Sequence, residues 1–371
     1  MGHFLPITWD EVKQRGWEQV DIVLVSGDAY IDHPSFGTAV LGRTLEREGY
    51  RVAIIAQPNW RDDLRDFRKF GVPRLFFGIT AGVMDSMVNH YTAARRLRHD
   101  DAYTPGGVAG FRPDRAAYVY TKIVKELYPD VPVVVGGIEA SMRRLTHYDY
   151  WDDMLKPPFL TEAPADLLVY GMGEKSLIKI AHLLDEGADI ASLHALPQTA
   201  YLTEAGAEPA GEGVIALHSY DECLLSKRKE AENFGKIERE SNRIEAATLT
   251  QRVGQQCVVV NPPEPPMTTE EVDASFDLPY ERLPHPKYKK TWRHPSLRND
   301  QKLHQHTPRL LWRLLLLHHL GAPREADSLA VGAIGAGRAA TADADGLLPR
   351  RGDRPGRPIG QHVPHGRQGQ K

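Results

Sequence analysis

The chain has 371 residues, of which 41% are hydrophobic, and a formal net charge of −3. This length allows one large or two ordinary domains, and the small net charge gives no electrostatic reason to expect nucleic acid or an anionic membrane as a partner. Two cysteines, Cys223 and Cys257, are too few for a disulfide framework. The start of the chain has no apolar signal core, and no apolar run is long enough to cross a bilayer. We therefore expect a cytoplasmic protein without a membrane partner.

The predicted elements alternate between apolar strands and amphipathic helices over the first half of the chain. Strands are predicted at residues 22–25, 51–56, 75–79, 131–135 and 166–170. Helices are predicted at residues 9–20, 36–48, 116–127 and 175–184. Repeated strand, turn and helix units favour the α/β class with a doubly wound parallel sheet.

The pattern weakens after residue 187. The sequence predicts an added strand at 213–217, a long charged helix at 221–251, a strand at 257–260 and a short helix at 269–276. A Pro-rich stretch surrounds the last helix and is typical of a linker. The composition then changes near residue 293: 13 Lys and Arg face 6 Asp and Glu, and no Phe, Tyr or Trp follows Trp312. Such a change indicates two different segments joined end to end.

The first predicted strand ends in a polar turn that contains Asp28, Asp32 and His33. Ligands of open α/β sheets bind at the carboxyl ends of strands, so these residues are candidates for metal binding or acid–base catalysis. The alternative is turn chemistry, in which aspartates accept backbone N–H groups and cap the next helix. With no further histidine nearby, we favour turn chemistry. Cobalt ligation by His33 is not expected, because a base-off cobalamin site needs Asp-x-His-x-x-Gly and the spacing to Gly37 is wrong.

Glycine-rich turns follow the fourth and fifth predicted strands. Glycine lets the backbone approach a ligand closely, and the next helix offers free N–H groups. Candidate residues for a ligand or interdomain surface in these turns are Gly136, Gly137, Glu139, Gly173 and Glu174. The alternative is the tight strand-to-helix turn that any doubly wound sheet needs, and neither turn is a complete GxGxxG or phosphate-binding loop. The turns therefore indicate the fold more strongly than a nucleotide or a corrin-like ligand.

A loop at residues 143–152, RRLTHYDYWD, mixes aromatic and charged residues densely. Such a mixture is typical of recognition surfaces. It is equally consistent with a loop that packs its own aromatic rings onto the sheet. Both interpretations stay open at this point.

Several long stretches resemble the YgiQ-like radical SAM proteins, and they occur in the family's order over about residues 5–290. They include VSGDAYIDHPSFG, RRLRHDDAYTP, VVVGGIEASMRRLTHYDYWDD, YGMGE and DLPYERLPHPKY. The resemblance implies a Rossmann-like accessory domain, similar to cobalamin-binding domains, followed by a radical SAM barrel. That barrel would hold a [4Fe-4S] cluster on Cys-x-x-x-Cys-x-x-Cys, whose open iron binds S-adenosylmethionine and cleaves it reductively. It would act on a small-molecule substrate that the sequence does not identify.

This chain has no such cysteine motif, and the genetic code suggests why. Each of Leu310, Leu314 and Leu317 can be encoded by CTG, followed by a codon that begins with C. When the reading starts at the second base of the leucine codon, the three bases are TGC, which is a cysteine codon. Their spacing reproduces Cys-x-x-x-Cys-x-x-Cys. We predict that the chain from about residue 291 is the barrel translated in the wrong reading frame. An aromatic-free tail rich in Arg, Gly and Pro is typical of an off-frame reading of a GC-rich gene.

Two alternatives exist for this tail. It could be a genuine basic, disordered extension that binds nucleic acid or a partner. It could also hold a metal through His304, His306, His318 and His319. We see neither helical ligand spacing nor supporting residues for a metal, so the frameshift is the favoured hypothesis.

These observations predict three parts: an accessory domain at 5–200, a helical and extended linker leading to the barrel at 201–290, and a non-native or disordered tail at 291–371. By resemblance the cofactors are a [4Fe-4S] cluster and S-adenosylmethionine, but we expect this chain to bind neither, nor any metal. Two functions remain open. The chain is either the inactive accessory region of a radical SAM enzyme or a free-standing module that binds a small molecule or nucleotide.

Overall fold

The computed structural model describes residues 4–291. Within that range the strands are β1 (Ile22–Ser26), β2 (Val52–Ala56), β3 (Phe76–Thr80), β4 (Val133–Gly136), β5 (His147–Asp149), β6 (Met154–Lys156), β7 (Leu167–Val169), β8 (Thr199–Glu204), β9 (Val214–Ala216), β10 (Thr248–Val253) and β11 (Gln256–Val260). The α-helices are α1 (Trp9–Gln14), α2 (Gly37–Arg47), α3 (Arg65–Arg68), α4 (Ser86–His90), α5 (Ala116–Leu127), α6 (Gly137–Met142), α7 (Phe159–Glu162), α8 (Glu174–Asp185), α9 (Tyr220–Leu225), α10 (Lys227–Ser241) and α11 (Thr269–Phe276).

Nine of these strands form one sheet in the order β2-β1-β3-β4-β7-β8-β11-β10-β9. The first five strands of that order pair in parallel, as do β10 and β9. The three pairs between β7 and β10 are antiparallel. Strand order reverses between β1 and β3, and such a switch point is where doubly wound sheets bind ligands. Strands β5 and β6 form a separate hairpin.

Continuous apolar sequence forms the central strands, because both faces of the sheet are covered. On one face Val23 and Val25 of β1 join a core that includes α5. On the other face Ile22 and Leu24 join a core that includes α2 and α8. Each fully buried aliphatic side chain contributes roughly 1.5–3 kcal/mol, so burial on both faces is the main source of stability. The predicted α/β class with a mainly parallel sheet is confirmed.

The structure differs from the prediction after residue 200. The region expected to be an irregular helical linker contributes β9, β10 and β11 to the main sheet. The long helix expected at 221–251 is wrong: α10 ends at Ser241, and the chain re-enters the sheet as β10. The sheet is also mixed rather than purely parallel. The predicted disordered tail, with its histidines and possible shifted codons, lies outside the described residues.

One segment crosses the carboxyl edge of the sheet near the end of the described range. In this crossing segment (residues 281–288), Pro284 forms an antiparallel bridge with Ile31. The backbone N–H of Tyr30 donates to the Tyr288 hydroxyl at 3.1 Å. The crossing segment therefore covers the turn after β1. Among residues 4–291, no helix combines the length and apolar character that a bilayer crossing requires.

Candidate functional site

A cleft of about 230 Å³ opens at the carboxyl ends of β1, β3, β4 and β7. Its floor includes Leu24, Val134 and Val169 from the strands, and its rim is formed by the turns before α2, α6 and α8. We call it the sheet-edge cleft. Its lining is mainly apolar and rich in glycine, so it suits contact with an uncharged part of a ligand. The cleft includes the β1/β3 switch point, where the fold favours binding.

The glycines predicted as site residues line this cleft, and packing alone requires them. A Cβ atom at Gly136 would lie 3.0 Å from the Val169 carbonyl oxygen, and one at Gly173 would lie 2.9 Å from Val169 Cγ1. Gly137 has φ = +79°, and a Cβ there would clash with Thr80 Oγ1. Side chains at these positions would collide with the strands beneath. Tight strand-to-helix turns therefore explain these three glycines.

Gly37 is different, and the sequence did not single it out as a site residue. It is the first residue of α2 and lines the cleft. A Cβ atom built at this position has no neighbouring atom within 4 Å. The cleft wall therefore has open space at Gly37, which makes this position suitable for a blocking substitution.

Glu174 is the candidate residue whose environment fits a ligand-facing role. It is the first residue of α8, is 8% exposed and lines the cleft. Within residues 4–291, its Oε2 atom is buried without a hydrogen-bond partner. Burial raises the pKa of this carboxyl, and a hydrogen bond with its own backbone N–H opposes part of that shift. A protonated carboxyl at this site has both a donor and an acceptor.

Asp28 lies outside the cleft lining and is held in a buried ionic cluster. Its Oδ1 atom lies 2.8 Å from Arg112 Nη2, and its Oδ2 atom accepts from the Val83 N–H at 2.6 Å. Arg112 also lies 3.1 Å from Asp101 Oδ2. Burial raises the pKa of the Asp28 carboxyl, and Arg112 opposes that shift. These contacts connect the ends of β1 and β3 to the loop after α4.

Asp32 is likewise a structural residue. Arg43 Nε donates to its Oδ1 atom at 3.0 Å, and the guanidinium also donates to Oδ2. The backbone N–H of Glu281 donates to Oδ2 at 2.9 Å, and the Arg282 N–H donates to the Asp32 carbonyl at 2.8 Å. Asp32 and Arg43 are both almost completely buried. The pair therefore fixes α2 and the crossing segment to the turn after β1.

His33 does not take part in the cleft. It is 3% exposed, and its Nδ1 atom accepts from the backbone N–H of Ser35 at 3.2 Å. Pro34 and Ser35 line the cleft, whereas His33 does not. This placement does not fit a histidine that would ligate cobalt from the cleft. The structure brings Asp28, Asp32 and His33 into neighbouring turns without forming one shared polar site.

Glu139 joins helices instead of facing the cleft. Its carboxylate accepts from the backbone N–H groups of Ser86 and Ala117, each at 2.9 Å, and from the Ser86 hydroxyl. Burial and the nearby Asp85 raise the pKa of this carboxyl. These bonds satisfy otherwise unpaired groups at the starts of α4 and α5. The three buried partners Ser86, Arg43 and Arg112 were missed by sequence reasoning, because their burial depends on tertiary packing.

The loop at 143–152 contains β5 and leads into a hairpin. Trp151 packs against Tyr91 with ring centroids 4.0 Å apart. Arg115 pairs with Asp149 at 2.9 Å, while Tyr148 remains 58% exposed. Self-packing therefore explains part of the loop, and an aromatic surface also remains. No residue of 143–152 is among the described residues that line the cleft.

The described residues do not fit an iron–sulfur cluster. Cys223 and Cys257 are both buried, and burial raises the pKa of their thiols to about 12 and about 11, respectively. Cluster ligation needs thiolates. Within residues 4–291, no three His, Cys, Asp or Glu side chains are grouped so as to hold a metal ion.

Comparison with known proteins places the chain in a family. The sequence model of the family described as "Radical SAM N-terminal" matches residues 4–299 of this chain. The chain belongs to the radical SAM N-terminal family. The predicted resemblance to YgiQ-like radical SAM proteins is confirmed, because the matching UPF0313 proteins form that group.

Three relatives illustrate the match. A UPF0313 protein of Porphyromonas gingivalis is 60% identical over 287 residues, covering 77% of this chain and 45% of the relative. One of Bacteroides thetaiotaomicron is 57% identical over 297 residues, covering 77% and 48%. One of Geobacter sulfurreducens is 48% identical over 285 residues, covering 77% and 47%. The chain thus spans about half the length of the curated relatives it matches.

A solved structure also matches. It is a radical S-adenosylmethionine methyltransferase from Kitasatospora setae with cobalamin and a [4Fe-4S] cluster bound. The identity is 22% and the TM-score is 0.32, and the match covers 50% of this chain and 27% of the other.

Proposed function

We propose that this chain is the N-terminal accessory region of a YgiQ-like radical SAM protein and that the sheet-edge cleft is its small-molecule site. The observation that carries this proposal is the cleft at the carboxyl ends of four adjacent parallel strands. Doubly wound sheets bind ligands at this edge. The alternative of a free-standing binding module uses the same cleft, so binding in the cleft is common to both.

Thermal shift measurements with cobalamins and nucleotides test the cleft as a site. The matched variant is Gly37→Leu, because this position lines the cleft and has open space around it. We expect at least one compound to raise the Tm of the 371-residue chain and to lose that effect in Gly37→Leu. Failure of every compound to shift the Tm would contradict a ligand-binding cleft.

The family chemistry is the reductive cleavage of S-adenosylmethionine at a [4Fe-4S] cluster, and we propose that this chain does not perform it. The support is its cysteine content: Cys223 and Cys257 are the chain's two cysteines, and both thiols are buried. Three thiolates are needed for such a cluster.

Anaerobic reconstitution with ferrous iron and sulfide checks this point. We expect no thiolate-to-iron absorbance from the full chain and no cleavage of S-adenosylmethionine with dithionite. The control is the double variant Cys223→Ser, Cys257→Ser, which should give the same iron content. A cluster that forms in the unmodified chain and is lost in the double variant would overturn the proposal.

We also propose that the chain leaves the family reading frame near residue 291. The support is twofold: the curated relatives match 77% of this chain but only 45% and 48% of their own length, and Leu310, Leu314 and Leu317 permit shifted cysteine codons at the cluster spacing. The nucleotide sequence of the gene decides the matter, because the shifted frame must encode all three cysteines. A frame-restored gene should then yield a protein that assembles the cluster under the same reconstitution conditions.

A further inference from the structure

The contacts of Glu174 within residues 4–291 leave one oxygen of its buried carboxyl unpaired. Its side chain lines the sheet-edge cleft and is 92% buried, and no hydrogen bond reaches its Oε2 atom within residues 4–291. Buried polar atoms in native proteins are nearly always paired, since an unpaired one costs about 1–3 kcal/mol. Of the other buried carboxylates at this edge, Asp32 and Glu139 accept several hydrogen bonds each. The Oδ1 atom of Asp28 also lacks a hydrogen bond, but it lies 2.8 Å from the Arg112 guanidinium, which compensates its charge. Glu174 is therefore the carboxyl at this edge that has neither a hydrogen bond to Oε2 nor a charged partner among the described residues, and it is available to a ligand.

Among residues 4–291, no cationic side chain lines the cleft beside Glu174. Of the described residues that line the cleft, it is the one with an ionisable side chain. Lys175 points to another partner, Glu271, at 2.8 Å. The nearby Tyr280 is largely buried, its hydroxyl donates to the Ser275 carbonyl at 2.9 Å, and burial raises the pKa of its phenol, so it remains neutral. The carboxyl therefore faces an apolar cleft without a compensating charge.

We propose that Glu174 recognises an uncharged nitrogen heteroaromatic ring, through an edge that places an acceptor nitrogen beside an N–H donor, as adenine does. This inference rests on the proposed function of the cleft as a small-molecule site. A neutral carboxyl donates its O–H to the ring nitrogen and accepts the adjacent N–H through its carbonyl oxygen. The apolar and glycine-lined walls would contact the faces of the ring.

The electrostatics favour this ligand over a charged or donor-only one. Burial raises the pKa of the Glu174 carboxyl, which favours the protonated form with its donor and acceptor. An ionised carboxylate would instead select an edge with two donors, as in guanine, at the cost of keeping a charge in an apolar site. The volume of about 230 Å³ lies below the roughly 300–1,000 Å³ of sites for drug-sized ligands. One ring system with its substituent directed to solvent suits that size.

Titration calorimetry of the full chain with adenosine and with guanosine tests the proposal. We expect adenosine to bind at least about tenfold more tightly, a difference of about 1.4 kcal/mol. Glu174→Leu should lose at least that factor for adenosine. Glu174→Gln should keep adenosine affinity within a few-fold, because an amide also has one donor and one acceptor for this edge.

The pH dependence separates recognition from mere structural support. Adenosine affinity of the unmodified chain should fall as the pH rises through the pKa of Glu174, whereas that of Glu174→Gln should stay constant. A preference for guanosine, or unchanged adenosine binding in Glu174→Leu, would overturn the inference. If another compound binds and only Gly37→Leu abolishes its binding, the cleft remains a site and the role of Glu174 is wrong. If no compound binds at all, the proposed function fails as well.

Discussion

The buried carboxyl groups at the carboxyl edge of the sheet differ in whether they have an arginine as an ion-pair partner. After β1, Asp28 faces Arg112 and Asp32 faces Arg43, with every partner buried. In the sheet-edge cleft, the Oε2 atom of Glu174 has no partner among the described residues. Carboxylates paired with an arginine hold backbone segments together, whereas a carboxyl beside a cavity without a charged partner is available to a ligand. The number of partners, rather than residue type, separates structure from candidate function here.

The largest expected effect on the free energy of unfolding is from Asp32→Ala, which removes the buried ion pair between Asp32 and Arg43. Among the described residues, Arg43 would keep only Glu46, at 2.7 Å and partly exposed, as a charged partner, and removing one partner of a buried ion pair costs about 3–5 kcal/mol. Urea unfolding followed by circular dichroism should show that loss. The control is Asp63→Ala, which removes an exposed ion pair with Arg65 and a hydrogen bond to the Arg65 N–H, and should shift the urea midpoint much less. Equal midpoints for both variants would return Asp32 to the list of ligand-binding candidates.

The next effect contrasts two glycines of the cleft. Gly137→Ala combines a left-handed backbone with a clash against Thr80, for an expected cost of about 2–4 kcal/mol. Gly37→Ala meets no atom within 4 Å and should stabilise α2 by up to about 1 kcal/mol. Thermal unfolding of both variants checks the signs. The interpretation of Gly137 as a packing residue is wrong if its variant is as stable as that of Gly37.

A smaller effect compares two buried glutamates directly. Glu139→Gln replaces an oxygen that accepts from Ser86 or Ala117 with an N–H₂ donor, so we expect a loss of about 1–3 kcal/mol. Glu174→Gln disrupts no hydrogen bond to Oε2 and should leave stability unchanged or slightly higher. Denaturant unfolding of the two variants at neutral pH measures the difference. Similar losses in both would show that Glu174 also has a structural role.

Much of the parallel sheet could be predicted from the sequence, because its strands are continuous apolar runs. Strand β4, for example, overlaps the predicted VPVVV run, and its three valines are buried between two helical layers. Strand β10 could not be recognised, since its TLTQRV sequence is largely polar. Gln251 is nevertheless buried because it accepts from the Thr146 N–H and donates to the His218 carbonyl. Those partners are far away in sequence and have no local signature.

The sequence predicted that the turns after the parallel strands converge, since parallel strands end at one edge, and several of these turns line the sheet-edge cleft. That this cleft is a functional site stays a prediction. What sequence could not reveal is which carboxylate has a partner. Arg43 follows Asp32 by 11 residues and lies within α2, and its burial is apparent only when α2 packs on the sheet. The unsatisfied state of Glu174 is likewise a property of the folded molecule.

The smallest effect is a difference in pH dependence between a paired and an unpaired glutamate. For Glu11, partial burial opposes ionisation, but hydrogen bonds with His285 and the Ile7 N–H lower its pKa from 4.5 to about 2. Its folded pKa is therefore depressed, so it adds stability above pH 4.5 that disappears as the pH falls towards 2. Because the group is half exposed, we expect about 1 kcal/mol.

Glu174 should behave in the opposite sense, because burial raises its folded pKa. Its proton is retained in the folded chain, so its contribution is present at low pH and is lost as the pH rises through the folded pKa. Urea midpoints should therefore be measured from pH 3 to pH 9. We expect Glu11→Gln to weaken the pH dependence of the midpoint at acidic pH. Glu174→Gln should weaken it at higher pH, where the Glu174 carboxyl loses its proton. If Glu174→Gln alters only the acid side, then its carboxyl is ionised and stabilised in the fold. Glu174 would then be a paired carboxylate like Asp32, and the ligand proposal, which depends on an unpaired Glu174, would fail.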